Sequence, residues 1–234
     1  MSDIIEKNSE YAEKIKSILG LRAEPVAIRL IREGETAPVQ WETQDQMSHC
    51  QAFFRARAGE KLNIPMSNQS CHVGASALGM VETPEKVASG EFHANVGIHD
   101  SVDAAGKMIN ARKVIPFKTV GELMCPLGEA DFEPDVVVVA DIPERIYWIA
   151  ALITAVSGGR AVFTSSPFQS ICEDVTVIPI TSGLPNISLG CFGCRKRTGM
   201  ANDELVCGVP YSLIPGYVSR LEKYKAGALS KAKR

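Results

Sequence analysis

The sequence predicts an α/β or mixed α+β protein with a central sheet and at least one βαβ crossover, and three observations carry that prediction. Val136 to Val139 is an unbroken apolar run, the mark of a strand covered on both faces. Asp141, Pro143 and Glu144 then open a segment whose apolar residues continue to Val156, and Gly158-Gly159 stops it. A capping residue, a proline in the first turn and an acid at the positive end of the dipole specify a helix. Ala161-Val162-Phe163 follows as a short run of strand-forming residues. Strand 136–140, helix 143–157 and strand 161–164, joined by short links, make a crossover expected to be right-handed.

The other elements follow in chain order. Asp3 and Glu6 form a capping-box pattern, and Ile4, Ile5, Ala12, Ile15, Ile18 and Leu19 recur at helical spacing until Gly20. Val26 to Ile31 alternates and is β-branched, which predicts a strand. Short helices are expected from Met47 to Ala58, ended by Gly59, and from Cys71 to Leu78, ended by Gly79. The stretch 84–130 is less regular, with a helix expected over Val102 to Ala111 and a strand over Val120 to Met124. Further strands are expected at Val175 to Ile180, Ile187 to Leu189 and Leu205 to Cys207, and a helix after Pro210. The last seventeen residues carry Arg220, Lys223, Lys225, Lys231, Lys233 and Arg234 against Glu222, a pattern expected of a solvated helix that frays.

Composition narrows the function classes. The 234 residues are 45% hydrophobic and 22% charged with a formal net charge of −2, enough apolar material for a sizeable core. A balance this near neutral lacks the basic footprint of a dedicated nucleic-acid binder. The N-terminus has no apolar stretch behind a basic start, and the longest apolar run, Tyr147 to Val156, is about half a membrane span. The expected setting is the cytoplasm, where thiols stay reduced. Gly106-Lys107 is followed by Met108, so no Walker-type loop exists. The dinucleotide fingerprint, the nucleophile elbow and H-E-x-x-H are missing as well.

What remains is seven cysteines, an odd number. In a reducing compartment they point to ligands, redox groups or core fillers. Cys191-Phe192-Gly193-Cys194 is the sharpest local signal, because two intervening residues let both sulfurs turn inward on one loop. Gly190 and Gly193 leave backbone N–H groups free to face sulfur. Cys50 falls in the first turns of the 47–58 helix, and Cys71 follows Ser70 at the start of the next. A helix N-terminus favours thiolate. Cys50, Cys71, Cys191 and Cys194 together would supply the four thiolates of a [4Fe–4S] cluster assembled from distant segments. Cys125 precedes Pro126, Cys172 lies in a loop beside Glu173, and Cys207 falls in a strand-like run expected to pack in the core. His49 and His72 each flank a favoured cysteine and are candidates to orient or replace a ligand.

The ordered features resemble the "domain of unknown function 169" family, uncharacterised proteins of archaea and anaerobic bacteria. The residues that carry the resemblance are Pro25-Val26-Ala27-Ile28, Cys50 leading into Ala56-Arg57-Ala58-Gly59-Glu60, and Cys71 with Gly74 and Ala77-Leu78-Gly79. Pro134 to Val138, Ser188 to Arg195, Asp203-Glu204-Leu205 and Gly208-Val209-Pro210 continue it. The resemblance spans nearly the whole chain, implies one family-length domain over 1–234, and supports Cys50 and Cys71 as site residues.

The leading expectation is an iron–sulfur protein of anaerobic metabolism with one [4Fe–4S] cluster on Cys50, Cys71, Cys191 and Cys194. It would transfer electrons to a redox partner protein or act on a small-molecule substrate. Arg195, Lys196 and Arg197 would offset cluster charge or dock an acidic partner. Two alternatives stay open: a zinc-stabilised binding module on the same cysteines, and a metal-free dithiol oxidoreductase in which Cys191 and Cys194 cycle. Helix support behind the pair is expected to be poor for that last reading. No nucleic-acid partner and no membrane insertion are expected, and a homo-oligomer is the default state.

Overall fold

The computed structural model describes residues 2–156 and 158–232; Ser157, at the end of the expected helix 143–157, and Lys233 and Arg234 lie outside them. The chain opens with α1 (Ser2–Leu19), β1 (Val26–Arg32), α2 (His49–Arg57), β2 (Leu62–Pro65) and α3 (His72–Ala77). Three short helices follow, α4 (Glu85–Ala88), α5 (Glu91–Ala94) and α6 (Val102–Asn110). Then come β3 (Thr119–Pro126), β4 (Val136–Asp141) and α7 (Pro143–Thr154). A π-helix (Ser170–Val177) leads into α8 (Ile178–Ser182), β5 (Asn186–Ser188), α9 (Phe192–Arg197) and β6 (Leu205–Pro210). The last elements are α10 (Ile214–Ala226) and α11 (Ala228–Ala232). None of these helices is long and apolar enough to cross a membrane.

The six strands form one sheet in the order β2-β3-β1-β4-β6-β5, and each neighbouring pair is antiparallel. Alternation along each strand divides the side chains between two cores. Val26, Ile28, Leu30, Met124, Val136, Val138 and Val206 face α2, α3, the π-helix and α9. Ala27, Ile31, Leu123, Val137, Val139 and Val209 face α1, α7 and α10. The mixed α/β class and the central sheet are therefore as expected.

The βαβ crossover is not. The strand and helix occur at β4 and α7, but residues 161–164 form no strand. Val162 is 85% exposed there. Both edges of β4 are already taken, by β1 and β6, so no edge is free for a parallel neighbour. The valine run of β4 correctly reported burial on both faces, but helices covering both sides of an antiparallel sheet produce the same pattern as a parallel one.

The expected strand at 175–180 is also replaced. Val175, Val177 and Ile180 suggest β alternation, yet this stretch coils as the end of the π-helix and the start of α8. It lies flat on the sheet instead of joining it. A Cβ on Gly208 of β6 would stand 2.0 Å from the Val175 carbonyl oxygen, so only glycine lets the π-helix approach this closely. As far as residue 232 the C-terminal segment is anchored: Ile214, Val218 and Leu221 of α10 and Leu229 of α11 are buried against the α1 face.

Candidate functional site

Three of the four favoured cysteines sit where a helix begins. Ser48 caps α2, its hydroxyl accepting the Gln51 N–H at 3.3 Å while its own N–H reaches the Gln51 side chain at 2.9 Å. This capping box fixes Cys50 in the first turn. Cys71 itself caps α3, its sulfur accepting the Gly74 N–H at 3.5 Å. Cys191 caps α9 in the same way, accepting the Cys194 N–H at 3.3 Å. The paired cysteines therefore do open a helix, contrary to the expectation that helix support behind them is poor.

These segments bring their sulfurs together. The Cys50 thiol is in hydrogen-bonding contact with Cys172, Cys191 and Cys194. Cys191 Sγ and Cys194 Sγ are 3.1 Å apart. Cys71 and Cys172 flank Gly74, where a Cβ would stand 3.8 Å from the Cys71 sulfur and 3.6 Å from that of Cys172. Five thiols from four separate stretches of chain thus face one another. All seven cysteines are unpaired.

Proton sharing within the cluster is uneven. Hydrogen bonds from the Cys194 and Cys50 thiols, joined by the Ser170 and Cys194 N–H groups, hold Cys191 far below the usual thiol range despite burial. Cys194 moves up because it supplies one of those protons. Burial raises Cys71, against the Gly74 and Val73 N–H groups that lower it. Within the cluster these hydrogen bonds favour the thiolate at Cys191 over its partners.

The donor chemistry fits a soft metal or an iron–sulfur cluster: several inward thiols, backbone N–H groups aimed at sulfur, and a buried setting. Among the described residues, however, no three His, Cys, Asp or Glu side chains as placed could hold a metal ion. The sulfurs touch each other instead of surrounding a point. A tetrahedral zinc with Zn–S near 2.3 Å keeps its sulfurs about 3.8 Å apart, against 3.1 Å for Cys191 and Cys194, so any metal requires the side chains to turn outward.

The remaining sequence candidates divide by position. Cys172, expected in a loop, lies in the buried π-helix and joins the cluster. The signal that could have found it is Cys172-Glu173-Asp174, two acids embedded in an apolar stretch. Cys125 and Cys207 point into the opposite core, where burial pushes both thiols up. His49 is adjacent to Cys50 but has both nitrogens engaged, Nδ1 with Glu122 Oε2 at 2.6 Å and Nε2 with Thr176 Oγ1 at 3.1 Å. It ties α2 to β3 and to the π-helix, and so orients Cys50 and Cys172 instead of replacing a ligand. His72 is exposed.

The π-helix carries further buried polar groups. Asp174 Oδ2 accepts the Ser188 hydroxyl at 2.6 Å, and burial, reinforced by Glu173, pushes its carboxyl up to about 8. Gln169, just before the π-helix, has φ +62° and is the only non-glycine residue with positive φ among the described residues. Its Nε2 donates to the Val73 carbonyl of α3 at 3.1 Å. A π-helix and a left-handed non-glycine residue are both costly and concentrate at functional sites. Arg195 is not available to the sulfurs: its guanidinium donates to the Leu189, Ala201 and Glu204 carbonyls and braces the loop around α9. Lys196 and Arg197 are exposed, Lys196 over the Phe192 ring at 5.4 Å.

Comparison with known proteins identifies the family of the chain. The model of the family described as "Uncharacterised ArCR", domain of unknown function 169, matches residues 14–220. A relative, "Uncharacterized protein MJ0308" of the archaeon Methanocaldococcus jannaschii, is 30% identical over 219 residues, covering 92% of this chain and 94% of that one. No solved structure matches. The chain belongs to the domain of unknown function 169 family.

Proposed function

We propose that the thiol cluster holds a [4Fe–4S] centre and that the protein is a redox protein, exchanging electrons with a partner protein or a small molecule. The observation that carries this reading is the meeting of cysteines 50, 71, 172, 191 and 194. Cysteines that merely fill space have no reason to converge from four stretches of chain, and Cys125 and Cys207 show what filling looks like. Cys50, Cys71, Cys191 and Cys194 are the ligands in this reading. Each lies at or within the first turns of a helix, where N–H groups support thiolate, whereas Cys172 lies inside the π-helix.

When bound, such a cluster supplies one-electron chemistry at a potential tuned by hydrogen bonds to sulfur and by exposure. The chain's own contribution is to hold the sulfurs. The Gly74 and Cys194 N–H groups donate to Cys71 and Cys191, burial keeps out water, and the His49 clamp fixes Cys50 against Cys172. Phe192 is 41% exposed, and together with Lys196 and Arg197 it forms a basic, partly apolar surface suited to an acidic redox partner. The reading implies a reducing compartment such as the cytoplasm.

A metal-free dithiol is the second reading, favoured by the 3.1 Å approach of Cys191 and Cys194 and by the helix that opens between them. Anaerobic purification followed by iron, zinc and sulfide analysis separates the readings. About four irons and four sulfides per chain, with a visible chromophore, are expected. Zinc in a colourless protein favours a structural site, and no metal with a reversible Cys191–Cys194 disulfide favours the dithiol.

A further inference from the structure

The end of α6, residues 162–166, the π-helix with α8, and residues 184–186 enclose an open cleft of about 700 Å³, a size typical of small-molecule sites. Glu173 and Asp174 stand in its wall, directly after Cys172 on the same π-helix. The cleft and the thiol cluster therefore share one element.

Two cations, Arg112 and Lys113, and two acids, Glu173 and Asp174, line this cleft. The Asp174 carboxyl accepts the Ser188 hydroxyl at 2.6 Å, and Glu173 Oε1 accepts the Lys113 backbone N–H at 2.8 Å. Arg112 and Lys113 lie beside Glu173 and feel its charge, but among the described residues neither closes an ion pair with it. Arg112 gives one N–H to the Thr83 hydroxyl, and its Nη1 is buried without a partner among the described residues. The walls are largely apolar, and two apolar residues at the mouth are left open to solvent, Val162 at 85% and Leu184 at 62%. A buried guanidinium N–H left without an acceptor, next to an apolar wall, is the complement of an anion with a hydrocarbon body.

We propose that this cleft binds a small amphipathic carboxylate, its head at Arg112 and Lys113 and its body against Met108, Val162, Ile178 and Leu184. That the carboxylate is a substrate of the thiol centre rests on the redox reading above; that it binds does not.

The test is calorimetric titration of the full-length protein with hexanoate and with hexylamine, which presents the same chain behind the opposite charge. Iron content is measured on the same preparations. Saturable one-to-one binding of hexanoate and none of hexylamine are expected. Lys113 and Leu184 are exposed, so Lys113→Gln and Leu184→Asp keep the fold, and each is expected to weaken hexanoate about five- to tenfold. No hexanoate binding, equal binding of hexylamine, or binding unchanged in both variants overturns the proposal. Hexanoate binding by a protein that never takes up iron sustains the cleft and removes the redox reading. An iron-loaded protein that ignores hexanoate does the reverse.

Discussion

The two faces of the sheet use the same strands for different purposes. On the side of α1, α7 and α10 the core is mostly aliphatic and aromatic, with buried Asn8 and Asp141 at its margins, and its cysteines, Cys125 and Cys207, are fully buried and meet no partner thiol among the described residues. On the side of α2, α3, the π-helix and α9, buried His49, Glu122, Gln69, Asp174 and Thr176 interrupt the core. The five meeting thiols and the left-handed Gln169 lie there too. Buried polar groups and strained backbone cost stability, and the first face is covered with fewer of them. Their concentration on one side marks where the chain departs from packing alone.

The comparison is broken most forcefully at His49. Replacing it with Ala leaves the Glu122 carboxyl buried, with only Gln69 beside it. A loss on the order of 3–5 kcal/mol is expected, read as a lower denaturation midpoint, together with disorder of the thiol cluster. Gly208→Ala attacks the same face from the sheet side by driving a Cβ into the Val175 carbonyl. Overpacking of this kind costs about 1–3 kcal/mol, and the π-helix must lift, so the reactivity of Cys172 toward a thiol reagent should rise. A variant with native stability and an unreactive Cys172 would contradict the close approach on which this face is built.

Asp174 gives this face a pH signature that begins below neutrality. The unfolded chain ionises this carboxyl near 3.8, whereas the folded chain keeps its proton up to about 8. Its contribution is therefore whole at low pH, falls as the pH rises from the lower value to the higher, and is flat above. Asp174→Asn should flatten the decline in melting temperature across that window; an unchanged slope would show that Asp174 is ionised in the fold. The smallest effect belongs to the packing face, where Cys125→Ala or Cys207→Ala should cost about 1 kcal/mol and leave every property of the thiol cluster intact.

Much of the packing face was legible in the sequence and much of the other was not. The capped, periodic pattern of α1, the alternation of β1 and the valine run of β4 each follow from burial repeating at one period. The run of β4 misled only when burial on both faces was taken for a parallel crossover. The π-helix was hidden for a related reason: Val175, Val177 and Ile180 are β-branched and nearly alternate, and only Gly208, thirty-odd residues later, records that something rests on the sheet there. Cysteines at helix starts were visible because capping is local. Cys172 was not, because its place depends on a helix type that sequence periodicity does not announce.

The central claim, that one face binds metal through thiols while the other uses thiols only to fill space, is tested most directly by iron content in paired variants. Cys50→Ser and Cys191→Ser are compared with Cys125→Ser and Cys207→Ser, all purified without oxygen. The account predicts that the first pair loses the iron and the visible chromophore, and that the second pair retains both. Equal iron in all four variants, or iron in none of them and none in the parent chain, would contradict it.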